Sequence, residues 1–298
     1  MAIIIDGKKV RDERRAILGA RIASLKDKIE NFISPALAIV QIGDRAESNI
    51  YIKNKIIFGE KVGISVILKK YPDSILESEI ISEIKKVGED AGVDGIIVQL
   101  PLPAHLNKNN VLDAIPLNKD ADGLTSANSE LFYSDDKNDK SSFEKAVIPA
   151  TARGVMELCT AYGIFFEGKN VTVLGRSNLV GRPIAKLVER KGGKVTVCHR
   201  VTTDIPAKVK SADIVITAIG SPGFIRKDWV KDGQIIIDVG LTVLKDSEGK
   251  NKFSGDVSFD EVSPIVKMIT PVPGGVGAMT VLALFENILD LFLNSRNM

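Results

Sequence analysis

Tyr51 and Lys55 stand four residues apart in YIKNK, with Ser48 seven before Lys55, so a helix through this segment carries all three on one face. By itself such a pair is also ordinary surface decoration. Gln99 ends the apolar run GIIVQ and is followed by LPLPAH, whose prolines force an extended exit from a strand. Ligands of open α/β sheets sit beyond the carboxyl ends of the strands, which is where Gln99 falls. Lys119 to Gly123 (KDADG) sets Asp120 and Asp122 beside a glycine turn. Thr270 to Thr280 (TPVPGGVGAMT) is fixed at its prolines and then open at its glycines, so backbone there can approach a flat ligand closely. The chain holds only 2 histidines, His105 and His199, and no paired Cys or His spacing. Neither a zinc site nor a histidine-based nucleophile is expected, and acid–base work falls to Lys, Asp, Glu or Tyr.

A second group of residues suits phosphate. Gly175 to Pro183 (GRSNLVGRP) follows the apolar run VTVL and opens an amphipathic stretch. A strand, a glycine turn and a helix N-terminus offer free backbone amides and a favourable dipole to an anion. The spacing differs from the usual G-x-G-x-x-G, and a plain strand-to-helix turn reads the same way. The next strand ends at Cys198, His199 and Arg200 without the carboxylate that an NAD-specific site uses for its ribose. Arg176 and Arg200 instead put guanidinium groups where a 2′-phosphate would lie, although Arg200 also reads as a solvated charge. NADP is expected over NAD.

The elements that must position these residues alternate between short β-rich runs and amphipathic stretches, which predicts an α/β fold with mainly parallel sheets. Strands are expected at Ala36–Ile42, Ser65–Leu68 and Gly95–Gln99, with helices near 46–62 and 76–90 between them. A second series follows residue 148, at Asn170–Leu174, Lys194–Cys198, Asp213–Thr217, Gln234–Val239 and Val266–Ile269. The polar stretch Tyr133–Lys145 reads as a solvated loop. Met279 to Asn294 is apolar around most of a helix, so it is expected to be buried and to pack back onto the first domain. The domains predicted are residues 1–148, with helix 277–298 returning to them, and a dinucleotide-binding Rossmann-like domain at 149–276.

At 298 residues two domains of ordinary size are expected, and 44% hydrophobic residues suffice for two cores. Forty basic against 38 acidic residues argue against nucleic acid or an anionic membrane as partner. The opening MAIIIDGKKVRDERR meets charge too soon for a signal peptide or a span, and no later apolar run is expected to reach membrane length. Two cysteines, Cys159 and Cys198, make no disulfide framework, which points to the cytosol.

Taken together and in order, YIKNK, VGI at 62–64, GIIVQLPLPAH, KDADG, GRSNLVGRP, CH at 198–199, IDVG at 237–240, GDV at 255–257 and TPVPGGVG resemble the bifunctional methylenetetrahydrofolate dehydrogenase/cyclohydrolase family. The resemblance runs from Ile5 to the last helix. It implies two α/β domains flanking a cleft, the second Rossmann-like, in a homodimer. It implies NADP as cofactor and a tetrahydrofolate derivative as substrate, oxidised at the methylene level and then hydrolysed to the 10-formyl form. Lys55 would be the principal catalytic residue, with Gln99 beside it. Tyr51 would stack on the aminobenzoate ring and Asp122 would hold the polar edge of the pterin. Val98, Leu100, Pro271, Gly274 and Gly275 would line the folate pocket. Thr151, Gly175, Arg176, Ser177, Arg200 and Leu241 would contact NADP, and no metal is implied.

The chain departs from the family at Pro149 to Ala152, where a cysteine is lost, and at Arg200, usually serine. Thr242, Ser258 and Ala278 also replace the usual residues. A single-activity relative and a non-catalytic folate- or nucleotide-binding regulator are the alternatives. Retention of Lys55 and of GRS speaks against both.

Overall fold

The computed structural model describes residues 2–134, 140–245 and 251–296. In chain order the elements are β1 (Ile3–Ile4), α1 (Gly7–Lys28), β2 (Ala36–Ile42), α2 (Ala46–Val62), β3 (Ser65–Tyr71), α3 (Glu77–Glu89), β4 (Gly95–Val98), α4 (Lys108–Leu112), α5 (Ser126–Tyr133), α6 (Lys140–Lys145) and α7 (Ala150–Ala161). There follow β5 (Asn170–Leu174), α8 (Gly181–Arg190), β6 (Lys194–Cys198), α9 (Ile205–Ser211), β7 (Ile214–Thr217), β8 (Ile235–Asp238), β9 (Thr242–Lys245), β10 (Asn251–Ser254), α10 (Phe259–Val262), β11 (Met268–Ile269) and α11 (Val276–Asn294). They fall into two compact units. One holds residues 13–150 and 281 onward; the other holds 151–280 and the residues through Asp12.

The unit with Lys55 is built on a three-stranded parallel sheet in the order β3-β2-β4. All seven residues of β2 are buried, as a central strand covered on both faces requires. α2 returns the chain to β3 through Gly63, whose left-handed φ of 81° closes the helix with its N–H on the Gly59 carbonyl. The apolar helix α11 is fixed here by polar groups. Asn287 donates to the carbonyls of Ala121 (2.9 Å) and Ile148 (3.0 Å), and Arg296 pairs with Asp94 at 2.8 Å. Gly95 leaves room for Ile288, because a Cβ there would meet the isoleucine at 2.4 Å. By length and composition α11 would suffice to cross a membrane, which corrects the expectation that no run reaches that length. About two thirds of its most apolar window (67%) is buried inside the protein, so it serves as a core helix.

The other unit has a six-stranded, wholly parallel sheet ordered β1-β11-β8-β7-β5-β6, plus the antiparallel hairpin β9–β10. From β6 to β11 the order is that of a doubly wound sheet, and its direction of winding reverses between β5 and β7. β1 corrects the sequence-based boundary. Ile3 and Ile5 donate to the carbonyls of Lys267 and Ile269, so the first residues complete this sheet rather than the sheet around β2. The segment 133–145 is also not a plain loop. α5 runs to Tyr133 and α6 covers Lys140–Lys145, with the Phe143 ring 5.3 Å from that of Phe132. Positions 135–139 of that expectation lie outside the described residues.

Candidate active site

In the unit around β2, the helix α2 and the strand end of β4 bring two of the expected residues into contact. Gln99 follows β4, tied to β2 by its N–H on the Val40 carbonyl (2.9 Å), and its side chain faces α2. Lys55 Nζ donates to Gln99 Oε1 at 2.8 Å, while Gln99 Nε2 donates to the Leu100 carbonyl at 2.8 Å. The amide is thereby oriented with its oxygen toward the lysine. Gln41 at the end of β2 is buried and donates to Asn49 at 2.7 Å, a second tie between this sheet and α2.

The two carboxylates of KDADG have different tasks. Asp120 is fully buried and accepts the N–H groups of Gly123 (2.9 Å) and Thr125 (2.8 Å), which shapes the turn. Burial raises its carboxyl pKa, and those hydrogen bonds oppose the rise. Asp122 makes no hydrogen bond among the described residues and lies close enough to Lys55 for each to move the other's titration. Burial pushes Asp122 up to about 6, with Lys55 pulling it down and Asp120 pushing it up. Burial lowers the Lys55 pKa, and Asp122 counters this. Lys55 as a whole residue is half-buried; the lowering belongs to its terminal nitrogen, which sits among protein atoms.

Tyr51, one turn before Lys55, is 45% exposed and leaves its ring open for stacking. Leu100 is half-buried and available, whereas the Val98 side chain is buried in the core, so only its backbone can serve a ligand. Pro271, Gly274 and Gly275 belong to the other unit. There Gly275 donates to the Pro271 carbonyl at 2.8 Å and Gly274 takes a φ of 114°, available to glycine. That loop ends earlier than expected, since α11 starts at Val276 rather than Met279.

In that second unit the expected phosphate turn lies where β5 meets α8, beside the reversal point of the sheet. Gly175 has a φ of 111°, and a Cβ on it would meet the Ala218 carbonyl oxygen at 2.5 Å. A Cβ on Gly181 would lie 2.1 Å from the Gly175 oxygen, so the turn closes only with glycine at both positions. Ser177 Oγ accepts the Val180 N–H at 3.2 Å. Arg176 and Arg200 are exposed and have no ion-pair partner among the described residues. Thr151, in the first turn of α7, is half-buried, and Leu241 is 42% exposed just after Gly240. The glycine cradle, the ten-residue helix α8 behind it and two free guanidinium groups fit a phosphate-bearing dinucleotide.

Two buried carboxylates that sequence reasoning did not single out lie behind this turn. Asp256 accepts the Thr217 hydroxyl (2.9 Å) and the N–H groups of Ile219 (2.8 Å) and Ser221 (2.7 Å). Asp238 accepts from the backbones of Gly240 (2.9 Å), Asp256 (3.1 Å) and Val257 (2.9 Å). Burial first, then Asp256, pushes Asp238 up to about 7. Their only sequence signal was membership of IDVG and GDV.

Comparison with known proteins agrees with this geometry. Residues 5–122 match the catalytic-domain model of tetrahydrofolate dehydrogenase/cyclohydrolase, and residues 149–296 match its NAD(P)-binding domain. The bifunctional protein FolD of Listeria innocua is 39% identical over 290 residues, covering 97% of this chain and 96% of that one. The mitochondrial C-1-tetrahydrofolate synthase of Schizosaccharomyces pombe is 40% identical over 97% of this chain, but the chain spans only 29% of that protein's length. The crystal structure of the FolD enzyme of Campylobacter jejuni superposes with a TM-score of 0.90 at 36% identity, over 99% of this chain and 100% of that one. That of Trypanosoma brucei, complexed with NADP and an inhibitor, gives 0.90 at 34% identity, over 100% and 99%. Both halves of the chain are thus accounted for by one lineage, and the chain belongs to the tetrahydrofolate dehydrogenase/cyclohydrolase family.

Proposed function

We propose that this chain oxidises 5,10-methylenetetrahydrofolate to the 5,10-methenyl cation with NADP and hydrolyses that cation to 10-formyltetrahydrofolate, both steps reversibly. The observation that carries the reading is the Lys55–Gln99 contact beside Asp122 in a chain of this family. The bound dinucleotide supplies the hydride acceptor. The Gly175–Gly181 turn and the N-terminus of α8 would hold its pyrophosphate.

In the hydrolytic step water adds to the methenyl carbon, a proton leaves the water, and a proton must reach the departing ring nitrogen. Lys55 is suited to both transfers, because burial already disfavours its ammonium and a cationic substrate would disfavour it further. Gln99 holds the lysine nitrogen in place without adding charge. Asp122, with a carboxyl near 6, is mostly ionised at neutral pH and can accept the paired N–H donors of a pterin edge. The open ring of Tyr51 suits stacking on an aromatic ring.

NADP is preferred to NAD in this reading because Arg176 and Arg200 are unpaired cations and the end of β6 carries no carboxylate. The Trypanosoma brucei relative is complexed with NADP, whereas an NAD-dependent dehydrogenase of Saccharomyces cerevisiae shares the fold at 20% identity and a TM-score of 0.79. The reading includes a homodimer, as the family resemblance implies. It also includes a cytosolic setting, supported by two buried free thiols, Cys159 and Cys198. Schizosaccharomyces pombe has both a cytoplasmic and a mitochondrial C-1-tetrahydrofolate synthase among the relatives. Incubating the purified protein with methylenetetrahydrofolate and either NADP or NAD, while following the methenyl absorbance, tests the proposal. Methenyl must accumulate faster with NADP and then decay enzymatically. No dinucleotide reduction with either cofactor would overturn it.

A further inference from the structure

The dinucleotide-binding unit contains a polar centre that no step above uses. Asp238 ends β8, and Asp256 lies in the segment between β10 and α10. They are 3% and 0% exposed. The acceptor bonds they make run to strand ends and the loops just beyond them. Asp256 takes the hydroxyl of Thr217, the last residue of β7, and the N–H groups of Ile219 and Ser221 in the loop that follows. Asp238 takes Gly240 N–H on one oxygen and Val257 N–H on the other, and its own N–H reaches Thr270 Oγ1 at 2.7 Å. No side chain fits between the loops and the carboxylates. A Cβ on Gly240 would meet the Asp256 carboxyl at 2.3 Å, and one on Gly255 would meet Asp238 Oδ2 at 2.2 Å.

Two of these loops lead to residues assigned to the dinucleotide in the proposed function. The β7 loop presents the Ala218 carbonyl, against which Gly175 packs so closely that a Cβ would meet its oxygen at 2.5 Å. The next loop carries Leu241 immediately after the Gly240 that Asp238 holds. Thr242 Oγ1, at 3.4 Å from the Gly220 carbonyl, joins the two loops.

We propose that Asp256 and Asp238 are positioning residues for the dinucleotide, Asp256 holding the 217–221 loop behind the Gly175 turn and Asp238 holding the segment that carries Leu241. Neither touches the cofactor. They do from behind what a preorganised site requires, because loops that must be ordered on binding give up affinity in the ordering. The inference rests on the dehydrogenase reading, and its test separates the two.

The test uses Thr217→Val, which removes one hydrogen bond to Asp256 and keeps the shape, with Thr217→Ser as the restoring variant and Asp256→Asn as the stronger lesion. NADP affinity is measured by calorimetric titration well below each variant's melting temperature, alongside methenyl hydrolysis without dinucleotide. A hydrogen bond to a charged group corresponds to about tenfold in an equilibrium constant at the least. Thr217→Val should weaken NADP about tenfold, Asp256→Asn more, and Thr217→Ser should restore affinity to within about twofold. Hydrolysis without dinucleotide should stay at the wild-type rate in Thr217→Val. A lowered melting temperature with unchanged NADP affinity in Thr217→Val would show a purely structural bond and overturn the inference alone. Wild-type protein that binds neither NADP nor NAD would overturn the dehydrogenase reading and this inference together.

Discussion

Replacing Gln99 with glutamate keeps the shape of the site and places a carboxylate against Lys55 Nζ, at a contact now 2.8 Å long. Two unit charges about 4 Å apart attract by about 4 kcal/mol at an effective dielectric near 20. The new carboxylate would stand at the half-buried position 99, where solvent screening reduces this to about 2 kcal/mol. That free energy favours the ammonium and moves the ascending limb of the rate profile, which follows the neutral amine, upward by about 1.5 pH units. At neutral pH the neutral-amine fraction, and with it methenyl hydrolysis, should fall by about 10- to 30-fold. The assay is the decay of methenyl absorbance from pH 6 to 10, corrected for the spontaneous reaction. Recovery of the rate at high pH marks the effect as electrostatic rather than a misplaced helix. A Gln99→Glu enzyme with the wild-type rate and an unmoved profile would refute the assignment of proton transfer to Lys55.

Asp122→Ala should raise the folate KM sharply while NADP affinity is nearly unchanged, because Asp122 lies in the unit that does not contain the Gly175 turn; titration with each ligand separately checks this. Arg176→Ala should weaken NADP by about one to two powers of ten and NAD much less, since charge-assisted bonds to a 2′-phosphate are worth roughly 1.5–3 kcal/mol each. Arg200→Ser should do so less, and the ratio of kcat/KM for the two cofactors reports both. Asp238 binds a proton in the folded chain up to about pH 7 but near 3.8 when unfolded, so its contribution to stability is present below pH 4 and is lost as pH rises through 7. Asp238→Asn lacks that dependence, and its deficit in melting temperature relative to wild type should therefore shrink between pH 5 and 8; a constant deficit would contradict the raised carboxyl.

Lys55, Gln99 and the Gly175 turn were legible in the sequence because local rules point to them: helical spacing, the end of an apolar strand, and glycines between strand and helix. The family resemblance then gave those positions roles. What the sequence did not disclose depends on contacts between distant segments. β1 is two residues long, too short for any periodicity, and its partner Met268–Ile269 lies near the other end of the chain. α1 opens with KKVRDERR, whose charges mask its helical face. KDADG by its spacing offered two carboxylates, and only the resemblance singled out Asp122. Only the fold shows Asp120 turned inward onto Gly123 and Thr125 while Asp122 is left for Lys55. Asp238 and Asp256 escaped notice for the same reason, since their partners come from the ends of other strands.

Lys55→Met removes the nitrogen that donates to Gln99 while filling the same space on α2. Methenyl hydrolysis and NADP affinity should be measured on one preparation of this variant beside the wild type. Hydrolysis should drop to the spontaneous rate while NADP binds with wild-type affinity and the circular dichroism is unchanged. Hydrolysis at the wild-type rate in a folded Lys55→Met enzyme would contradict the placement of the cyclohydrolase chemistry at this lysine.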